Sequence, residues 1–109
     1  MKTAVVGFPR IGAQRELKFA TERYFRGELT EQALCAEGAV LRRKHWEKQA
    51  AHGIDWIPSN DFSFYDNMLD MACLLNCVPQ RYQALNLTEM QRYFAMARGY
   101  QGGQGDVKA

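Results

Sequence analysis

The sequence has little of what builds a cross-linked, membrane-spanning or nucleic-acid-binding protein. Its 109 residues include three cysteines, three prolines and two histidines. An odd cysteine count without a secretory leader argues against a disulfide framework. Cys73 and Cys77 are four apart, which on a helix puts both thiols on one face. Two sulfurs do not complete a tetrahedral zinc site, and no histidine lies near them. Buried, reduced thiols are the expectation. No apolar run approaches the roughly 18 residues of a membrane span. The N-terminus carries one lysine before too short an apolar stretch for a signal peptide, so a cytoplasmic protein is expected, without a membrane partner. Neither His45 nor His52 stands in metal-ligand or triad spacing, and no catalytic nucleophile is visible.

What is present is an ordinary globular balance, 47% hydrophobic and 24% charged, on a chain long enough for one small domain. The net charge of +2 is uneven. Residues 1–48 hold ten Lys/Arg against six Asp/Glu, and residues 49–109 hold four against six. A mildly basic first half suits a small anionic ligand. It falls short of the dense basic stripe that nucleic acid requires.

Residues 3–7, Thr-Ala-Val-Val-Gly, read as a short buried strand. Pro9 and Gly12 punctuate a turn, and a helix is expected over 13–26 with Leu17, Ala20 and Tyr24 inward. Thr30 is a good N-cap for a long helix reaching His52 and stopping at Gly53. Residues 54–58 read as a second strand closed by Pro58. A turn and helix follow over 62–76, with Asp66 able to cap the helix. Thr88 and Gln91 form a capping box for a helix ending near Arg98. Residues 99–109 are glycine-rich and expected to be mobile. Strands separated by helices imply an α/β arrangement with parallel pairing. A parallel sheet needs both faces covered, which two strands do not achieve.

Two segments are candidates for chemistry. In the first, Gly7-Phe8-Pro9-Arg10-Ile11-Gly12-Ala13-Gln14-Arg15-Glu16-Leu17-Lys18, a strand ends and a helix begins. Free N–H groups and the helix dipole at such a start favour an anion, and Arg10, Arg15 and Lys18 add positive charge. Gly7 and Gly12 have the spacing of a phosphate-binding loop, but Ala13-Gln14 stands where Lys-Ser/Thr is required, and the dinucleotide glycine pattern is absent. On spacing alone, a surface turn with solvated charges remains the simpler alternative to an anion site. The second candidate is Asp61-Phe62-Ser63-Phe64-Tyr65-Asp66, directly after the second strand, where ligands gather in parallel α/β folds. Core aromatics and a helix cap are the alternative there. The charge cluster Arg42, Arg43, Lys44 and Lys48 reads as a solvated helix face.

Several strings, in order and at matching separations, resemble the cobalamin-independent methionine synthase family. They are Gly7-Phe8-Pro9-Arg10-Ile11-Gly12, Arg15-Glu16-Leu17-Lys18, Leu41-Arg42-Arg43-Lys44-His45-Trp46, Gly53-Ile54-Asp55-Trp56-Ile57-Pro58, Asn60-Asp61-Phe62-Ser63-Phe64-Tyr65-Asp66 and Leu74-Leu75-Asn76-Cys77-Val78-Pro79. The resemblance implies an enzyme with two (β/α)8 barrels that moves a methyl group from 5-methyltetrahydropteroyl-polyglutamate to homocysteine. The fold it implies is α/β: the helix-rich first two βα units of an incomplete (β/α)8 barrel, residues 1–98, with 99–109 as a flexible tail.

By the same resemblance, Arg15, Glu16, Leu17 and Lys18 belong to the folate site, with Arg10 and Asp61 as further candidate contacts for an anion or substrate. Arg15 and Lys18 would neutralise carboxylates of the glutamate tail. No cofactor is expected in this chain. The catalytic zinc of the family belongs to the C-terminal barrel, so Cys35, Cys73 and Cys77 are not assigned as ligands. The implied partners are the 5-methyltetrahydrofolate polyglutamate and the C-terminal barrel of the same enzyme. The chain alone is expected to be inactive. The competing readings are a standalone anion- or folate-binding regulatory module, and a non-catalytic interaction domain that dimerises through exposed strand edges.

Overall fold

The computed structural model describes residues 1–109. Five helices carry most of its regular structure: α1 (Glu16–Phe25), α2 (Glu31–Ala51), α3 (Asn67–Leu74), α4 (Gln80–Gln83) and α5 (Glu89–Arg98). Extended pairing is confined to two single pairs of residues, Ala4 with Trp56 in parallel and Tyr100 with Val107 antiparallel. The molecule is therefore helix-rich with few strands. No helix is long and apolar enough to cross a membrane.

The helix ends follow local chemistry. The Thr30 hydroxyl accepts from the Ala33 N–H at 3.1 Å and opens α2. Asp66 opens α3 by accepting from the Leu69 N–H at 3.3 Å. Thr88 and Gln91 exchange the two bonds of a capping box at 3.2 and 3.0 Å. Three helices stop with the same pair of bonds, a Schellman motif. After α1, Glu28 N–H donates to the Arg23 carbonyl and Gly27 N–H to that of Tyr24; after α2, Ile54 donates to Gln49 and Gly53 to Ala50. After α3 the same roles fall to Cys77 and Asn76, and Asn76 takes the left-handed conformation at φ 57°.

The chain comprises two compact units, Met1–Phe64 and Tyr65–Ala109. In the first, α1 packs on α2. Leu17 and Ala20 of α1 and Leu34 and Leu41 of α2 are buried. Arg23 bridges to Glu37 at 2.6 Å, and the Tyr24 hydroxyl donates to Glu31 at 3.3 Å. Gly38 occupies the inward stripe of α2 because the Phe64 ring lies on it. A Cβ there would stand 2.8 Å from Phe64 Cζ. In the second unit, Val78, Tyr82 and Ala95 form the core, with Leu85, Leu87, Met96, Tyr100 and Val107 packed around it. The Tyr93 hydroxyl accepts from the Tyr65 and Asp66 N–H groups at 2.9 and 3.2 Å, joining α5 to the start of α3. Residues 99–109 fold back through the Tyr100–Val107 pair, and the Tyr82 hydroxyl donates to the Lys108 carbonyl.

Several expectations change. The first helix begins at Glu16, three residues late, because Gly12 (φ 91°) and Arg15 (φ 61°) use the intervening residues in a tight turn. The extended segments around Ala4 and Trp56 run parallel as expected, but they are not buried. Val6 is fully exposed and Trp56 is 65% exposed, since a single parallel pair has nothing to cover its faces. Cys35 and Cys77 are exposed and Cys73 is half-buried, against the expectation of buried thiols. Cys35 lies just off the α2 stripe, and α3 buries none of its residues. Helix α4 was not foreseen.

Replacing Gly38 by alanine separates two opposing effects. Helix propensity favours alanine by about 1 kcal/mol. The rigid Phe64 ring opposes it, and overpacking of this kind costs about 1–3 kcal/mol. The Gly38→Ala variant is expected to unfold at lower urea; a raised midpoint would mean that Phe64 moves aside freely.

Burial, then the neighbouring Glu31 carboxylate, pushes the Tyr24 phenol up from 10.0 to about 12. Above pH 10 the unfolded phenol ionises while the folded one resists. The stability it contributes is therefore complete below pH 10 and lost as pH rises through about 12. Urea midpoints of the parent and Tyr24→Phe, compared across that range, should converge only at the alkaline end.

Candidate functional site

The residues after the first extended segment and those after the second are brought together. The Asp61 carboxylate accepts from the Phe8 N–H at 2.8 Å. Gly7 permits this approach, since a Cβ there would stand 2.9 Å from Asp61 Oδ2. Arg10 Nη1 donates to the Ser63 carbonyl at 3.1 Å and the Phe64 carbonyl at 3.0 Å. The Phe62 and Phe64 rings meet edge to face at 5.4 Å, and the Arg42 guanidinium lies 5.4 Å from the Phe62 centroid. Both sequence candidates, segment 7–18 and the run from Asp61, thus form one cluster as far as Phe64. Arg10 and Asp61 act within it as internal clamps.

The turn into α1 divides Arg15, Glu16, Leu17 and Lys18 into two pairs. Leu17 is 1% exposed and belongs to the core. Glu16 folds back, so that its Oε1 accepts from the Gln14 N–H at 3.2 Å. Its Oε2 is buried without a hydrogen-bond partner. A Cβ on Gly12 would lie 1.7 Å from that oxygen, so glycine is required there by φ and by contact together. Arg15 is exposed. Lys18 pairs with Glu22 at 3.7 Å, with both side chains more than two-fifths exposed, and such a solvated pair is weak. The Glu16 carboxylate thus sits in the turn before α1, and the Leu17 N–H of the first turn is already donated to the Ile11 carbonyl at 3.0 Å. The cations available to an external anion are side chains.

His45 was set aside in the sequence, yet its ring stacks on Phe8 at 4.5 Å and 30°. Lys48 Nζ stands 6.0 Å from the other partner of that contact, the Phe8 centroid. Burial lowers the proton affinity of His45; the Asp61 and Glu16 carboxylates pull it upward, and Lys48 adds to the lowering. The signal that would have found His45 is the stripe Leu34, Gly38, Leu41, His45, Gln49, which follows helical spacing and is inward-facing throughout. Trp46 Nε1 donates to the Pro58 carbonyl at 3.0 Å and ties the same helix to the end of the second extended segment.

The donor sets do not fit a metal. No three His, Cys, Asp or Glu side chains gather to hold one. Burial pushes the half-buried Cys73 thiol up, which disfavours the thiolate that zinc needs. No catalytic step through zinc is assigned to these residues.

The sequence pattern of the cobalamin-independent synthase N-terminal domain matches residues 2–109. The chain belongs to that family. It is similar over its whole length to proteins named 5-methyltetrahydropteroyltriglutamate–homocysteine methyltransferase. Those of Streptococcus sanguinis and Streptococcus thermophilus are each 57% identical over 109 residues, and that of Streptococcus suis is 55% identical. The chain spans 14% to 15% of the length of these relatives. The resemblance read from the short strings thus holds for the family.

The Gly12–Glu16 contact gives a direct test of the turn. Gly12→Ala is expected to destabilise by about 1–2 kcal/mol or more, from a Cβ at positive φ and its clash with the carboxylate. Adding Glu16→Ala should relieve the clash and leave the backbone strain. Strictly additive losses in urea unfolding would show that Glu16 does not occupy the turn.

Proposed function

We propose that this chain forms one wall of the folate site of a methyltransferase that moves a methyl group from 5-methyltetrahydropteroyl-polyglutamate to homocysteine, yielding methionine. The observation that carries this reading is similarity over the whole of this chain, at 55% to 57% identity, to part of longer proteins whose names state that reaction. The setting is cytoplasmic. The parallel pairing of Ala4 with Trp56 across two helices supports a finer fold reading. Residues 1–98 are the first two βα units of a (β/α)8 barrel whose other strands lie outside this chain. Zinc and the homocysteine site belong to the C-terminal barrel, and the chain alone is inactive.

Within the wall, Arg15 and Lys18 neutralise carboxylates of the glutamate tail. Arginine offers a planar fork and lysine a mobile point charge. Lys18 exchanges its weak pairing with Glu22 for the ligand. Leu17, buried in the core, contributes by fixing the register of α1 beneath the two cations. Glu16 holds the turn that aims them. Arg10 and Asp61 keep the segment in place from behind. These are binding and orienting roles, and they act by raising occupancy and positioning the methyl donor.

In the complete enzyme, Lys18→Ala is expected to cost about 0.5–1 kcal/mol of donor binding, the range of a solvated ion pair. The loss should grow with the number of glutamates and shrink with added salt. Equal losses for monoglutamate and triglutamate donors, measured by titration, would contradict the role.

A further inference from the structure

Segment 7–18 is anchored at Phe8 by two unlike contacts. One is the main-chain bond to Asp61 at 2.8 Å, and the other is the ring stack on His45 at 4.5 Å. The partners lie far apart in sequence, so the stack is a long-range tie between α2 and the segment. From Phe8 the chain runs through Arg10 and the Gly12 turn to Arg15 and Lys18. A change at Phe8 therefore moves the base from which both cations project. Stacked rings of this kind add specific geometry and about 0.5–1.5 kcal/mol beyond the area they bury.

We infer that His45 is a positioning residue for the anion-binding segment: its neutral ring holds Phe8, and through it segment 7–18, in the binding arrangement, and protonation of the ring releases that hold. The inference rests on the reading that segment 7–18 binds the glutamate tail. Burial and three charged groups decide the protonation state. Burial against the segment opposes a charge, the carboxylates of Asp61 and Glu16 favour one, and Lys48 on the same helix opposes it. The net balance is against the proton. Detachment into water restores the ordinary proton affinity of the imidazole, so acid favours the detached state. The sign follows: the hold is complete above the usual histidine range and weakens as pH falls through and below it.

The test uses the 109-residue chain, with amide exchange of residues 7–18 corrected for intrinsic rates and no ligand added. In the parent chain, protection of the Phe8 amide should fall by about two- to tenfold between about pH 7.5 and 5.5, the range that such a ring pair supplies. His45→Ala should show the reduced protection at both pH values. His45→Phe keeps a stacking ring without a titrating nitrogen, so it should keep the protection and lose its pH dependence. Unchanged protection in His45→Ala, or the same acid loss in His45→Phe, overturns the inference. Should His45→Ala not fold, the comparison of parent with His45→Phe decides alone. A second arm titrates the complete enzyme, parent and carrying each His45 substitution, with folate triglutamate. Weaker binding by His45→Ala and pH-flat binding by His45→Phe are expected. A complete enzyme that binds no triglutamate overturns the folate reading, while the exchange data still judge the role of His45.

Discussion

The first unit depends on the bond between the Asp61 carboxylate and the Phe8 N–H. It joins residues 53 apart at 2.8 Å, and hydrogen bonds to a charged acceptor are worth about 1.5–3 kcal/mol. Its neighbours depend on it. Gly7 must lack a side chain for Asp61 to approach. Arg10 then reaches the carbonyls of Ser63 and Phe64, and Phe64 lies across Gly38 of α2. At the other end of the same pairing, the Thr3 N–H donates to Asp55 at 2.8 Å, and the Trp56 N–H donates to the Thr3 carbonyl at 2.9 Å. Two short extended segments with little pairing of their own are thus held at both ends by carboxylates.

What was legible in the sequence was the chemistry that acts within a few residues. Thr30, Asp66 and the Thr88–Gln91 pair opened the helices assigned to them, and Gly53 closed α2, because capping bonds need only neighbours. Burial was less legible, because it depends on what covers a residue. The run Thr3-Ala4-Val5-Val6-Gly7 has the composition of a buried strand, yet Val6 is fully exposed. Cys35 sits one position from buried Leu34 and is exposed, since the α2 stripe passes beside it. The start of α1 was misplaced for a different reason. A left-handed non-glycine residue such as Arg15 has no strong sequence signature, and its conformation is held by the turn that Gly12 and Glu16 complete.

The structure adds arrangement to the candidate residues that the sequence singled out. Arg10, Arg15, Lys18 and Asp61 were singled out as candidates from residue type and place, and the folate role of Arg15 and Lys18 came only from the resemblance. That Arg10 and Asp61 spend their charge on backbone groups required the fold. So did the division of Arg15, Glu16, Leu17 and Lys18 into two outward cations and two inward anchors. His45 was hidden by its isolation: a lone histidine beside a tryptophan in mid-helix carries no motif, and its partner Phe8 is 37 residues earlier. Only the inward stripe it shares with Leu34, Gly38, Leu41 and Gln49 pointed to it.

The self-occupied turn at α1 decides what kind of anion the segment suits. Glu16 holds its own carboxylate in the turn just before the helix, and the Leu17 N–H is donated to the Ile11 carbonyl, so the helix start offers an external anion less than its sequence promises. What remains are Arg15 and Lys18, long side chains at a wet surface, where each contact is worth about 0–1 kcal/mol. A single carboxylate gains little from one such contact. A ligand with several linked carboxylates gains more, because each later contact is intramolecular and benefits from a high effective concentration. Under the proposed folate reading, a chain of glutamates would therefore be favoured over one. The same reading also explains why segment 7–18 needs firm anchoring at Phe8: two mobile cations act together only if the backbone from which they project is held still.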